Sequence, residues 1–68
     1  MPSLAESFVE NLKFQRAKKK MSQEELGRKA NLSTSYISML ERGQRSPPFG
    51  TVETIAKALG LPARSLFT

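Results

Sequence analysis

The chain has 68 residues, 11 basic and 6 acidic, with a formal charge of +5 and a pI near 10.1. At 38% hydrophobic it can bury a small core but no deep cavity; a core in a chain below ~70–80 residues supplies only about 3–5 kcal/mol. It has no cysteine and no histidine, which excludes a disulfide frame and a thiolate metal site and removes the commonest general base.

The length predicts one domain, residues 1–68. No apolar run approaches the ~18–20 residues of a membrane span, and the N-terminus lacks a signal peptide's apolar stretch, so a cytoplasmic location is expected. The positive surplus suits a polyanion, although charge by itself is a weak guide.

Residues 1–20 are expected to form a first helix, capped by Ser3, with Glu6 closing an S-x-x-E box. Leu4, Phe8 and Leu12 recur at i, i+4 and i+8, and Ala5 and Val9 widen the stripe, so this face is assigned to the core. Lys18, Lys19 and Lys20 close the helix, where cations suit the negative end of its dipole. A solvated terminus is the preferred reading of that triplet over a ligand contact. Arg16 lies one turn before the helix end and Glu41 ends a later helix. From the residues alone, the two are equally an ion pair or two unrelated surface charges.

The segment Gln23 to Arg42, QEELGRKANLSTSYISMLER, organises the rest. Ser22 caps a second helix, with Glu25 completing another S-x-x-E box, and Leu26, Ala30 and small Gly27 form its inward stripe. Asn31 falls where the chain must reverse, and after Gly it best tolerates the left-handed conformation that closes a helix. Leu32 plugs the turn and Ser33 caps a third helix from Thr34. Ile37 and Leu40 then turn inward, leaving Thr34, Ser35, Ser38 and Met39 on the other side. A left-handed residue ninth in a twenty-residue unit, with a small residue fifth, is the arithmetic of a helix-turn-helix. An ordinary αα-hairpin with no ligand is the competing reading.

Gly43 can stop the third helix as its C′ residue. Pro47 and Pro48 stiffen a polar connection and exclude α-conformation just before them. A fourth helix should start near Pro48 or Phe49, bury Val52, Ile55, Ala56 and Leu59, and end at Gly60. Pro62, at a favoured first-turn position, opens a short fifth helix with Leu66 and Phe67 as its apolar end. The expected class is all-α, a compact five-helix bundle.

With these residues in place, the chain resembles the Cro and phage-repressor (XRE-like) type of helix-turn-helix regulator over about residues 8–67. The matching run is MSQEELGRKANLSTSYISMLERGQRSPPFGTVETIAKALGL. The joint occurrence of SQEEL, YIS-x-LERG and TIAKALGL is far more specific than any one of them. Restriction-modification controller proteins carry a run like Tyr36-Ile37-Ser38…Glu41-Arg42. The resemblance implies a lambda-repressor-like DNA-binding domain, with the second helix across the DNA backbone and the third in the major groove. It also implies an Arg16–Glu41 pair. Gln15, Lys20, Gly27 and Asn31 depart from the usual Leu, Gly, Ala and Gly.

On this reading Thr34, Ser35, Ser38 and Met39, with Tyr36 at the side, meet base edges. That front has no Arg, Lys, Asn or Gln, so the bidentate pairs to guanine or adenine are unavailable from it. Hydroxyls discriminate weakly, and Met39 and the Thr34 methyl suit a thymine methyl. Gln23, Arg42, Gln44, Arg45 and Ser46 are the expected backbone contacts. The expected partner is double-stranded DNA with a palindromic operator, bound by a homodimer through a C-terminal patch of Leu61, Leu66 and Phe67. No catalytic group, metal, cofactor, membrane or small-molecule ligand is expected. The rival is a protein-interaction module of the same fold, an antitoxin or adaptor, favoured by the weak hydrogen-bonding front.

Overall fold

Four α-helices and one 3-10 turn make up the computed structural model, which describes residues 2–68. Met1, part of the expected first helix, lies outside them. The helices are α1 (Leu4–Lys18), α2 (Gln23–Ala30), α3 (Thr34–Glu41) and α4 (Phe49–Ala58), followed by the turn Ala63–Leu66.

The caps explain where three helices begin. At α1 the box is complete: the Glu6 N–H donates to Ser3 Oγ at 3.1 Å, and the Ser3 N–H donates to Glu6 Oε1 at 2.9 Å. Hydrogen bonding of Ser3 to the carboxylate, from its backbone N–H first and its side chain second, holds the Glu6 carboxyl below its usual range. Ser22 and Ser33 cap α2 and α3 by accepting from the Glu25 and Tyr36 N–H groups. The expected second box is only half formed. Glu25 Oε2 lies 3.9 Å from Lys29 Nζ, its i+4 neighbour.

All four helices leave through the same closure, in which two N–H groups fold back onto the last carbonyls. Met21 donates to Arg16 and Lys20 to Ala17; Leu32 donates to Gly27 and Asn31 to Arg28. Gln44 donates to Met39 and Gly43 to Leu40, and then Leu61 to Ala56 and Gly60 to Lys57. Each closure needs one left-handed residue. Gly43 and Gly60 supply two of them, but Lys20 (φ 55°) and Asn31 (φ 58°) take the position despite their side chains. The closures leave connections of only a few residues, so α2 and α3 pack directly on one another. Gly27 marks that contact: a Cβ there would lie 2.6 Å from the Leu32 carbonyl oxygen.

The core is a single cluster drawn from every element: Phe8 and Leu12, Leu26 and Ala30, Ile37 and Leu40, Val52, Ile55, Ala56 and Leu59, and Leu66. Met21, between α1 and α2, is also buried. The chain's end is tied back to α1, since Asn11 Nδ2 donates to the Thr68 carbonyl at 3.0 Å and Phe67 packs on Phe8 with ring centroids 5.8 Å apart.

Three expectations are corrected. Leu4 and Ala5 are not core: Leu4 is 70% exposed and Ala5 is exposed, both edging an open groove across from Pro48 and Phe49, and Val9 is half-buried. The fifth helix is one 3-10 turn of four residues, with Pro62 before it as its cap. Leu66 cannot belong to an exposed dimer patch, because it points into its own core and is fully buried.

Candidate nucleic-acid interface

The faces of α3 divide cleanly. Ile37 and Leu40 are fully buried, and they fix the helix so that Thr34 and Ser35 stand exposed on its opposite side. Ser38 and Met39 are half-buried beside them, and Tyr36 is half-buried at the flank, where it packs on the core. A turn of helix thus offers three hydroxyls and one thioether outward. This front accepts and donates single hydrogen bonds and can touch a methyl group, but it makes no bidentate contact.

A polar knot positions that front. Arg16 Nε donates to Glu41 Oε2 at 2.6 Å and Nη2 donates to Oε1 at 2.9 Å, a bidentate pair. Arg16 Nη1 donates to the Met21 carbonyl at 2.8 Å. One guanidinium therefore joins the end of α1, the α1–α2 turn and the end of α3. Hydrogen bonds to Glu41 are the main cause that raises the Arg16 pKa above its usual value; partial burial opposes them and the carboxylate charge adds a smaller push. Glu41 is only 6% exposed, the one charged side chain in the core of the described residues, and none of its atoms is buried without a partner.

Gln23 belongs to this knot, a role that its sequence position did not suggest. Its Nε2 donates to Glu41 Oε1 at 3.1 Å. An amide nitrogen carries two N–H groups, so the contact leaves one for a ligand at the α2 N-terminus. Arg42, Gln44, Arg45 and Ser46 are all exposed beyond the α3 closure. Arg42, Arg45 and Ser46 also edge a groove that runs between α1 and the α3–α4 connection. Of the expected dimer residues, Leu61 and Phe67 are half-buried, on different sides of the 3-10 turn: Phe67 faces the groove, and Leu61 faces α4.

Lys18, Lys19 and Lys20 are exposed, and Lys18 Nζ lies 6.0 Å from the Phe14 ring centroid. Among the described residues no helix is long and apolar enough to cross a membrane, and no acidic cluster could hold a metal ion.

Comparison with known proteins agrees with this arrangement. The helix-turn-helix family model matches residues 12–66. The immunity repressor of Bacillus phage phi105 is 37% identical over 57 residues, covering 84% of this chain and 40% of the repressor. The control protein C.BamHI of Bacillus amyloliquefaciens is 42% identical over 50 residues, 74% of this chain and 62% of that protein. The chain therefore spans less than two thirds of the length of these relatives. Among solved structures, the hypothetical transcription factor NHTF from Neisseria superposes with a TM-score of 0.92 at 33% identity, over 97% of this chain and 76% of that one. The restriction-modification controller C.AhdI from Aeromonas hydrophila gives 0.86 at 37% identity, over 88% and 87%. The chain belongs to the helix-turn-helix family of DNA-binding transcriptional regulators, of the Cro and phage-repressor (XRE-like) type.

Proposed function

We propose that this chain, residues 1–68, is a cytoplasmic DNA-binding unit that seats α3 in the major groove of a palindromic operator as a two-fold homodimer. The observation that carries the reading is the division of α3: Ile37 and Leu40 lock one side into the core, and Thr34, Ser35, Ser38 and Met39 are left to face a ligand. A major groove admits one helix, and two half-sites ~34 Å apart would give a dimer enough base pairs to read.

The backbone contacts follow from the surroundings of that face. The free N–H of Gln23 lies at the start of α2, where unpaired backbone N–H groups favour a phosphate. Arg42, Gln44, Arg45 and Ser46 flank the other end of α3 and position the protein without reading sequence. Because the α3 front holds no Arg, Lys, Asn or Gln, each base contact should discriminate at the low end of ~1–3 kcal/mol. DNA shape then supplies part of the specificity. The same weak front favours a second reading, an adaptor or antitoxin that binds a protein instead.

Selection of bound sequences from random duplexes at two salt concentrations tests the proposal. A recovered inverted repeat, with affinity that falls steeply with salt, is the expected result. Ser35→Ala should relax the preference while leaving general affinity nearly unchanged, and Arg45→Ala should weaken binding to every sequence. Indifference of the purified protein to duplex DNA at low ionic strength would overturn it.

A further inference from the structure

The chain holds three methionines and no cysteine, so thioether sulfur is its softest oxidisable group. Met1 lies outside the described residues. Met21 is 7% exposed, enclosed between α1 and α2 as a member of the core cluster. Met39 differs from it. It is half-buried on α3, and it belongs neither to the core cluster nor to the partly buried apolar side chains packed against that cluster. The fold therefore shields one sulfur and leaves the other within reach of solvent without relying on it for packing.

Met39 shares the outward side of α3 with Thr34, Ser35 and Ser38, whose hydroxyls do not react with peroxide. Its backbone is pinned in the α3 closure, where the Gln44 N–H donates to the Met39 carbonyl at 2.9 Å. A change at the sulfur is thus made in place, on a helix whose other side is locked by Ile37 and Leu40. On a front without Arg, Lys, Asn or Gln, one apolar contact is a large share of what can read a base. A thioether is apolar and flexible, whereas its sulfoxide is polar and chiral at sulfur.

We propose that Met39 is a reversible oxidation site through which hydrogen peroxide weakens operator binding. The inference rests on the proposed seating of α3 in the major groove. The sulfur lone pair attacks one peroxide oxygen, and the O–O bond breaks as the S–O bond forms. The hydroxide that departs takes the proton left on the transferred oxygen and leaves as water. Sulfur loses two electrons and the peroxide gains them. The new S–O group seeks water or a hydrogen-bond donor, and a thymine methyl offers neither, so the contact becomes unfavourable. A dithiol reductase reverses the change: the sulfoxide oxygen leaves as water and the dithiol closes to a disulfide. Arg42, Gln44, Arg45 and Ser46, the proposed phosphate contacts, carry no sulfur, so general affinity is untouched.

The test treats the purified chain with hydrogen peroxide and follows each sulfur by mass spectrometry after trypsin, which leaves Met1, Met21 and Met39 on separate peptides. Met39 should oxidise about tenfold faster than Met21, with the thermal midpoint unchanged once Met39 is converted. Affinity for the selected operator should then fall about tenfold, while affinity for a random duplex at low salt changes less than about twofold. The two methionine sulfoxide reductases, one for each epimer, should restore the loss with dithiothreitol as reductant. Met39→Leu should keep its own operator affinity, whatever its value, through the same treatment. Equal oxidation of Met21 and Met39, or an equal loss in Met39→Leu, overturns the proposal. A protein that binds the selected operator equally well before and after Met39 is oxidised sinks this inference alone. One that prefers no duplex even before oxidation sinks the DNA reading and this inference with it.

Discussion

Arg16 and Glu41 lie 25 residues apart in the chain and meet through two parallel hydrogen bonds, with the carboxylate almost wholly inside the fold. Such a pair is weak support for stability as a whole, since desolvation offsets much of the attraction, but removing one partner strands the other. Arg16→Met leaves a buried carboxylate held by Gln23 alone. Breaking a fully buried pair in this way costs about 3–5 kcal/mol, reduced here because Arg16 is partly solvated; about 2–3 kcal/mol is expected. For a domain this small, that removes most of the stability. Urea unfolding monitored by circular dichroism checks it, and a loss under about 1 kcal/mol, the scale of an exposed pair, would mean that the knot is incidental.

Lys20 and Asn31 each hold a left-handed conformation that costs an ordinary L-residue about 1–2 kcal/mol. Glycine removes that strain but brings more freedom to the unfolded chain. Lys20→Gly should therefore stabilise by up to about 1 kcal/mol, and Asn31→Gly by a few tenths, because Asn already tolerates the region. The first change should raise the thermal midpoint by roughly 4–8 °C per kcal/mol. A lower midpoint for Lys20→Gly would show that the lysine side chain itself holds the turn.

The complete cap at α1 makes a pH prediction. The Glu6 carboxyl has its pKa lowered from an ordinary 4.5 by the Ser3 backbone and hydroxyl bonds. A depressed carboxylate contributes stability that is full above its unfolded pKa and is lost as pH falls through the folded one. The thermal midpoints of wild type and Glu6→Gln should therefore differ at neutral pH and converge as the pH drops below about 4.5. A difference that persists unchanged in strong acid would assign the effect to something other than ionisation.

Met39 offers a test at a single atom group. If it packs on a thymine methyl, replacing that thymine by uracil in the selected operator should cost about 1 kcal/mol. The cost should disappear in Met39→Ala. Equal losses in both proteins would place the methyl contact elsewhere, with the Thr34 methyl the next to try.

The helix boundaries and turns were largely legible because they depend on local chemistry. Ser3, Ser22 and Ser33 each cap the helix expected of them, and Asn31 adopts the expected left-handed geometry. Ile37 and Leu40 were legible through spacing, since a helix of eight residues with two apolar inward positions has one way to face a core. Leu4 was not, because periodicity identifies a helix face but not where an open groove leaves part of it uncovered. Glu25 had two competing partners, and sequence offers no measure of which one its rotamer reaches. Leu66 sits in a turn too short to have a period, and Met21 lies outside any helix, so neither burial had a pattern to reveal it.

The side of α3 turned away from the core was legible as a set of positions, but what supports it was not. Gln23 joins Glu41 only because two closures bring the start of α2 and the end of α3 to one place. Gly27 stands where the resembled family usually has Ala, and the Leu32 carbonyl explains the choice, since a backbone atom 2.6 Å from a Cβ cannot move aside cheaply.

The sharing of Gln23 between the interior and the α2 entrance links occupancy to cohesion. A phosphate gripping its second N–H would immobilise the amide that braces Glu41, so an operator would tighten helix junctions it never touches. Anything that binds only the native form adds RT ln(1 + [L]/Kd), about 2.7 kcal/mol when the ligand is at 100 times its Kd. For so slight a domain that increment rivals its whole intrinsic reserve, and unbound molecules would be the first to meet a protease.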